Sequence, residues 1–200
     1  MNERRSLLSR TTQRVTLRHM HNPSDRIVIG LISDTHGLLR PEVFDAFKGV
    51  SRIFHAGDVG PPDILVELAT IAPVQAVWGN TDAPGRPDLV ERIEETIGGL
   101  RIVVTHGHEL GSPKPPQLVA RYPKADIIVY GHTHQQLVTQ AARRTVVNPG
   151  AAGAQRFKLL PSVAKLFIYD RQVQVKLIPL GEGDLVDEEP PALLPDLTDL

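Results

Sequence analysis

Residues 27–37 read IVIGLISDTHG, an apolar run that ends in Asp34, a turn residue and His36. The run is too short for a helix and is rich in isoleucine, so it predicts a buried strand followed by a polar loop. Five later runs have the same form, and each is followed by Gly, His or Asn. These runs are RIFHA (52–56), VQAVW (74–78), RIVVT (101–105), IIVY (127–130) and TVV (145–147).

Segments with a helical pattern lie between several of these strands. The clearest is PPDILVELATI at 61–71, which begins with two prolines and places Ile64, Leu68 and Ile71 on one face. PEVFDAFK at 41–48 is a shorter candidate. Strands that alternate with helices predict an α/β fold with at least some parallel pairing, whose crossovers are right-handed.

The last third of the chain has a different pattern. VAKLFIYD at 163–170 and QVQVKLIPL at 172–180 are both typical of strands, and Asp170 and Arg171 are expected to form the turn between them. Apolar and polar residues alternate in the second segment, which indicates a strand with one exposed face. This region is predicted to be a half-exposed antiparallel hairpin.

The length of 200 residues and the lack of a long internal linker predict one domain, at residues 26–180. Residues 1–25 are expected to be a loose basic tail, because arginines are scattered among polar residues there. Residues 181–200 contain acidic residues and prolines but no Lys or Arg, and they are expected to be a loose acidic tail.

The composition excludes several classes of function. The 22 Lys and Arg residues against 23 Asp and Glu give a net charge of −1, so no basic field favours sequence-specific nucleic-acid binding. The absence of cysteine excludes disulfides, thiolate metal sites and cysteine nucleophiles. No run approaches the roughly 18 apolar residues of a membrane span, so no membrane association is expected. The expected location is the cytoplasm.

Polar residues with metal-binding side chains follow the predicted strands. Because the carboxyl ends of the strands in an α/β sheet line one crevice, these side chains are expected to cluster there. Carboxylate, amide and imidazole groups suit Mn, Ni, Co, Fe or Zn, and this number of ligands suffices for two divalent ions. Two such ions can clamp a phosphoryl group and activate water. The residues are Asp34, His36, Asp58, Asn80, His106, His132 and His134.

Each of these sequence elements has a second interpretation when it is taken alone. DTH at 34–36 suits a turn with a helix cap, and GD at 57–58 and GN at 79–80 are common in tight turns. A single histidine after a strand, such as His106, is more often a hydrogen-bonded residue than a ligand. GHTH at 131–134 is harder to explain by packing, and the ordered combination favours a metal site.

That combination, D-x-H, GD, GN, HGH and GHTH, resembles the calcineurin-like metallophosphoesterase superfamily. Over about residues 27–180 the chain is most similar to the compact YfcE-like phosphodiesterases, which share its GNTD and NPGA elements. The resemblance implies a sandwich of two sheets flanked by helices, in four layers of the order α-β-β-α. It also implies a dinuclear-metal phosphodiesterase that cleaves a small phosphate-ester substrate with a hydroxide bridging the metals, manganese being the first choice of metal.

The resemblance further implies a role for each ligand. One ion would be bound by Asp34, His36, Asp58 and His134, and the other by Asp58, Asn80, His106 and His132. Asp58 would bridge the two ions. The amide of Asn80 would offset the charge that develops on the phosphoryl oxygens.

One departure from the superfamily concerns the general acid. Many members have a histidine directly after the Asn of GN, and here that position is Thr81. The loss of a general acid removes a factor of about 10²–10⁴ for poor leaving groups, so a preference for activated or aryl esters is predicted. His108, the second histidine of HGH, is a candidate for a substitute acid or a substrate contact. An exposed or supporting histidine is an equal alternative for His108, and His55 is expected to be a core residue.

Three other functions are compatible with the sequence. The same fold serves as a retromer subunit, so the main alternative is a protein-interaction scaffold that keeps the metal motifs. A phosphomonoesterase would be a variant of the same chemistry. A single-zinc hydrolase would leave several of the polar residues with only a structural role. The family also suggests a homodimer.

Overall fold

The structure is a computed structural model that describes residues 26–155 and 159–181. The two predicted tails, at residues 1–25 and 181–200, therefore lie outside the described residues except for Gly181. Within the described part of the chain, no helix is both long enough and apolar enough to cross a membrane.

Ten strands and three α-helices form in the described part of the chain. The strands are β1 (Ile27–Ile32), β2 (Arg52–His55), β3 (Val74–Ala76), β4 (Ile93–Ile97), β5 (Leu100–Val104), β6 (Ile127–Val129), β7 (Leu137–Ala141), β8 (Arg144–Asn148), β9 (Ser162–Tyr169) and β10 (Gln172–Pro179). The helices are α1 (Glu42–Ala46), α2 (Asp63–Ala69) and α3 (Pro115–Arg121), and a 3₁₀ turn spans His108–Leu110.

The strands form two five-stranded sheets of similar topology. The first has the order β10-β9-β1-β2-β3, in which β1, β2 and β3 are parallel and the β9–β10 hairpin is antiparallel. The second has the order β4-β5-β6-β8-β7, in which β5, β6 and β8 are parallel and the two edge strands are antiparallel. Each sheet therefore presents the carboxyl ends of three parallel strands along one edge.

Three groups of buried apolar side chains hold the layers together. The core between the sheets contains Leu31 and Phe54 from the first sheet and Ile102 and Val129 from the second. A second group packs α1 and α2 on the outer face of the first sheet, and a third packs α3 on the outer face of the other sheet. The predicted four-layer α-β-β-α sandwich is confirmed.

The predicted hairpin is also confirmed. Strands β9 and β10 pair antiparallel, with Tyr169 opposite Gln172 across a two-residue turn. The turn residues Asp170 and Arg171 have φ angles of 45° and 59°, and positive φ at both central positions is what a two-residue type I′ turn requires. Asp170 and Arg171 therefore form the turn at the predicted positions.

Other elements differ from the prediction. Helix α2 spans Asp63–Ala69 and is shorter than the predicted 61–71. Pro62 caps its start, and the chain must leave the helix before β3 begins at Val74. The sequence pattern does not predict β4, β7 or α3. Strand β4 has charged residues at its centre, β7 is a half-exposed edge strand, and α3 buries only Leu118 among its seven residues.

Candidate metal centre

The residues expected to bind metal all follow parallel strands. In the first sheet, Asp34 and His36 follow β1, Asp58 follows β2 and Asn80 follows β3. In the second sheet, His106 follows β5, and His132 and His134 follow β6. Loops from both sheets therefore contribute to one region at the carboxyl ends of the strands.

The backbone at this region is held in an unusual conformation. Five of the seven residues have φ angles between 47° and 67°, in the left-handed region that side chains with a Cβ rarely adopt. Such a conformation costs of order 1–3 kcal/mol per residue and is found where the surroundings enforce it, often at functional sites. The five are Asp34, His36, Asp58, His132 and His134.

The buried carboxylate of Asp34 uses only one of its oxygens for hydrogen bonds within the protein. Its Oδ2 accepts from Ser33 Oγ at 2.5 Å and from the backbone N of His132 at 3.2 Å. Its Oδ1 is buried and accepts no hydrogen bond from any described residue, although His134 Nε2 lies 3.2 Å away. A buried carboxylate oxygen without a donor is unfavourable, and a bound cation would remove that penalty.

Two imidazoles face this oxygen. The Nε2 atoms of His36 and His134 are 3.3 Å apart, and Asp34, His36 and His134 each have a ligand atom within 4.8 Å of the others. Two ring nitrogens at this distance need either one proton between them or a shared cation. The donor set of one carboxylate and two imidazoles fits a borderline divalent metal.

Asp58 is arranged in the same way as Asp34. Its Oδ1 accepts from the backbone N of Thr81 at 2.9 Å, while its Oδ2 lies 3.4 Å from His106 Nε2 and 3.8 Å from His36 Nε2. Burial opposes ionisation of this carboxyl, but the hydrogen bond and charge of His106 outweigh it and lower the pKa of Asp58 well below its usual range. Asp58 is therefore a carboxylate at neutral pH, as a metal ligand must be.

The tautomer of His106 follows from its hydrogen bonds. Its Nδ1 lies 2.8 Å from the carbonyl oxygen of Ala56 and must donate to it, which leaves Nε2 facing Asn80 Oδ1 at 3.2 Å and Asp58 Oδ2 at 3.4 Å. Burial disfavours the charged ring, yet the nearby carboxylates and the carbonyl together raise the pKa of His106. Nε2 and the two oxygens form a set of acceptors that only a proton or a cation can satisfy.

The ligand atoms form two overlapping groups. Asp34, His36 and His134 form the first, and Asp34, Asp58 and His106 form the second, with all ligand atoms of a group within 4.8 Å of one another. Asp34 is common to both groups, and Asp58 approaches a histidine of each. The residues present therefore fit divalent metal binding, with oxygen and imidazole donors that converge and lack full hydrogen bonding.

The remaining candidate residues lie beside these groups. The ring of His132 is 5.2 Å from that of His106, in an edge-on arrangement, and the ring of His108 is 5.3 Å from His106. His108 also contacts Trp78, and its buried Nδ1 has no hydrogen-bond partner among the described residues. Burial and the charge of His106 lower the pKa of His108.

Two positioning residues are not evident from the sequence pattern alone. Asp82 accepts hydrogen bonds from the backbone N of Gly60 and of Gly79, and so ties the loop after β2 to the loop after β3. Asn148, the last residue of β8, donates to the carbonyl of Gly131 and to Thr133 Oγ1. Both side chains hold loops that carry the metal-binding candidates.

Replacing Gly79 with alanine is expected to displace Asp58. The added Cβ would lie 2.1 Å from Asp58 Oδ1 and 2.5 Å from the backbone N of Asp58, so both the carboxylate and the backbone of this loop must move. We expect a loss of about 1–3 kcal/mol in unfolding free energy, together with weaker manganese binding, measured by chemical unfolding and calorimetry. Gly85→Ala is the control, because a Cβ there meets no atom within 4 Å and adds only backbone strain. Unchanged manganese affinity in Gly79→Ala would contradict this geometry.

His55 is a neutral core residue, as its position inside a predicted strand suggests. Thr35 donates its hydroxyl to the carbonyl of Val59, so its oxygen accepts from His55 Nε2 at 2.9 Å, while the Gly57 N–H donates to Nδ1. Both ring nitrogens are therefore satisfied in the neutral form. Burial lowers the pKa of His55 from 6.5 to about 4.

This burial predicts a dependence of stability on pH. Between about pH 6.5 and about pH 4 the unfolded chain protonates His55 and the native protein does not, so stability is lost as the pH falls through this window. His55 alone should contribute a loss of about 2 kcal/mol between about pH 7 and about pH 5. The measurement is the unfolding free energy of metal-free wild type and His55→Gln at both pH values. Equal losses in the two proteins would refute the prediction.

Comparisons with known proteins show which family the chain belongs to. Residues 27–171 match the family model of the calcineurin-like phosphoesterase superfamily domain. The chain is 37% identical to a probable metallophosphoesterase of Methanothermobacter thermautotrophicus over 163 residues, which are 78% of this chain and 94% of the relative. It is 27% identical to a phosphodiesterase of Methanocaldococcus jannaschii, over 61% of this chain and 82% of the relative.

A similar fold occurs in the solved structure of Vacuolar Protein Sorting 29 from Cryptosporidium parvum. The TM-score is 0.71 and the identity 23%, over 80% of this chain and 94% of that one, so this likeness concerns the fold alone. The family match spans residues 27–171, which include both groups of metal-binding candidates, and the relative from Methanothermobacter matches 78% of the chain. The chain therefore belongs to the calcineurin-like phosphoesterase superfamily.

Proposed function

We propose that the protein is a phosphodiesterase that works with two divalent metal ions. The observation that carries the proposal is the pair of overlapping ligand groups, in which Asp34 Oδ1 is buried without a hydrogen-bond donor among the described residues. Hydrogen bonds also join the GD loop (57–58) to the GN loop (79–80). The Thr81 N–H donates to Asp58 Oδ1, and the N–H groups of Gly60 and Gly79 both donate to Asp82.

The proposed ligand sets share one carboxylate. The first set is Asp34, His36, Asp58 and His134, and the second is Asp58, Asn80, His106 and His132. Asp58 suits the shared position because its Oδ2 faces histidines of both sets while Thr81 fixes its Oδ1. Manganese is the first metal to test, with nickel, cobalt, iron and zinc as alternatives that accept the same donors.

When bound, such ions activate water and neutralise charge on a phosphoryl group. The protein's own contribution is to hold the ligands in place before the substrate arrives. Ser33 and the backbone N of His132 fix Asp34, and the carbonyl of Ala56 fixes the ring of His106. Asn80 faces His106 through Oδ1, which leaves its amide N–H groups available for a phosphoryl oxygen.

His108 is proposed to contact the phosphate ester, with a role as a weak substitute for the missing general acid as the alternative. It lies beside His106 and His132, and its side chain is partly exposed toward the same region. Burial and the charge of His106 lower its pKa, so the neutral ring predominates at neutral pH, which suits a hydrogen-bond contact better than an acid. Thr81, which stands where many family members have a histidine, has a hydroxyl 3.4 Å from His36 Nδ1 and cannot serve as an acid of comparable strength.

A protein-interaction scaffold is the second candidate function. It is favoured by the likeness in fold to Vacuolar Protein Sorting 29 and by exposed apolar side chains such as Val66 on α2, which is 66% exposed. The convergence of polar groups that lack hydrogen bonds is not needed by a scaffold. We therefore rank catalysis first.

The test is hydrolysis of bis-p-nitrophenyl phosphate and p-nitrophenyl phosphate by metal-stripped protein to which Mn, Ni, Co, Zn or Mg is added. We expect metal-dependent release of nitrophenolate from the diester, faster than from the monoester. Faster cleavage of the monoester would assign a phosphomonoesterase instead. Tight metal binding without turnover of either compound would favour the scaffold.

A further inference from the structure

A cavity of about 550 Å³ opens beside the proposed metal centre. It is bounded by Trp78, Asn80, Pro84, Leu89 and His108, and its size lies within the range of about 300–1,000 Å³ that is usual for small-molecule sites. Asn80 lines the cavity and also faces His106, so the cavity is continuous with the region where a phosphate ester would be cleaved.

Trp78 forms the aromatic wall of this cavity. Trp78 is 38% exposed although tryptophan is usually buried to a large extent, and its ring lies 4.9 Å from the ring of His108. Its backbone N donates to the carbonyl of Val90 at 2.9 Å, and Val77 pairs with Val90 in an isolated bridge. The backbone that carries the ring is therefore held by pairing with Val90.

The charged groups of the cavity are already engaged with each other or with the backbone. Asp82 accepts from two backbone N–H groups, and Arg86 pairs with Asp88 and donates to the carbonyl of Gly60. The Arg86 side chain is only 12% exposed. A ligand in the cavity therefore meets mainly the flat and apolar surfaces of Trp78, Pro84 and Leu89, because the charged side chains already have partners.

We infer that this cavity binds a flat aromatic group carried by the phosphate ester, through stacking on Trp78. This inference rests on the proposed phosphoesterase function and narrows its substrate class to esters of aryl alcohols or of nucleosides. Stacking on one aromatic side chain is expected to strengthen binding by about ten-fold or more, and it is tolerant of the identity of the ring. The ester group would lie near Asn80 and the aromatic group between Trp78 and Leu89.

Binding of phosphonates tests the inference without any need for hydrolysis, because their P–C bond is not cleaved by this chemistry. Trp78 is the single tryptophan of the chain, so its fluorescence reports directly on this cavity. Manganese-loaded protein would be titrated with methylphosphonate, phenylphosphonate and adefovir, an adenine that carries a phosphonate on an ether chain. We expect the two aromatic compounds to quench Trp78 and to bind about ten-fold or more tightly than methylphosphonate.

Variants separate stacking from general apolar contact. Trp78→Leu keeps apolar volume and removes the ring, and calorimetry should find that aromatic and methyl phosphonates then bind within about two-fold of each other. Val66→Ala, on the exposed face of α2, is the control and should keep the wild-type preference. Circular dichroism of Trp78→Leu checks its folding, and the fluorescence titration of wild type stands independently of that variant.

The outcomes distinguish this inference from the proposed function. Selective binding of the aromatic phosphonates in a protein that hydrolyses no ester would support the cavity assignment and overturn the phosphodiesterase. Hydrolysis of diesters with equal affinity for methylphosphonate and both aromatic compounds would overturn the cavity assignment alone. Tighter binding of phenylphosphonate than adefovir would assign aryl esters, and the reverse order would assign nucleoside esters.

Discussion

Asp58→Ala is expected to lower kcat/KM for bis-p-nitrophenyl phosphate by about 10³-fold or more, a loss of about 4 kcal/mol of transition-state stabilisation. Asp58 Oδ2 faces His36 and His106, so its removal takes a ligand from both proposed sets at once. It also removes the acceptor of the Thr81 N–H, which helps to order the loop after β3. Steady-state kinetics at saturating manganese would measure the loss.

The control for this change is Asp63→Ala, which removes an exposed carboxylate from the first turn of α2. It should leave kcat/KM within about two-fold of wild type, because an exposed charge outside the site changes little. If Asp58→Ala kept more than about a tenth of the wild-type activity with its manganese content unchanged, the shared carboxylate would be wrongly assigned.

Phosphodiesters with poor leaving groups are expected to react far more slowly than aryl esters. The protein lacks a histidine at Thr81, and a general acid is worth a factor of about 10²–10⁴ when the leaving alkoxide is poor. Two rates are compared by product analysis: release of nitrophenol from bis-p-nitrophenyl phosphate and release of methanol from methyl p-nitrophenyl phosphate. We expect the first to exceed the second by at least about 10²–10⁴-fold. Equal turnover of alkyl and nitrophenyl esters would contradict the prediction.

A matched variant shows whether the missing acid is the cause. Thr81→His places an imidazole next to His36, since Thr81 Oγ1 already lies 3.4 Å from His36 Nδ1. The variant should accelerate the alkyl ester more than the aryl ester and so reduce the ratio. An unchanged ratio would instead point to His108 as a working acid in the wild type, and His108→Ala should then slow the alkyl ester selectively.

The sequence predicts the central strands and the approach of the polar residues at their ends. The strands before Asp34, Asp58 and His106 are mostly buried, so they consist of short and largely apolar runs whose ends are easy to recognise. The topology then brings residues that are distant in sequence to one edge. His134 Nε2 lies 3.2 Å from Asp34 Oδ1, and Asp34 and His106 have ligand atoms within 4.8 Å of each other. The clustering could therefore be predicted from strand ends alone.

Edge elements and supporting contacts could not be predicted in this way. Strands β4 and β7 are half-exposed edges, so charged and polar residues replace the apolar runs that mark a central strand. Asp82 and Asn148 act on backbone groups of other loops, and those contacts exist only once both sheets are formed. The left-handed backbone conformation of Asp34 and Asp58 likewise cannot be predicted from the residue type, because Asp is also common in ordinary turns.

The measurement that tests the central claim most directly is a titration of metal-stripped protein with manganese, in which bound metal and hydrolysis of bis-p-nitrophenyl phosphate are followed together. Two ions per chain should bind, and activity should rise to its plateau only as the second site fills. Full activity with one ion per chain, or two bound ions without hydrolysis of any phosphate ester, would contradict a dinuclear phosphodiesterase.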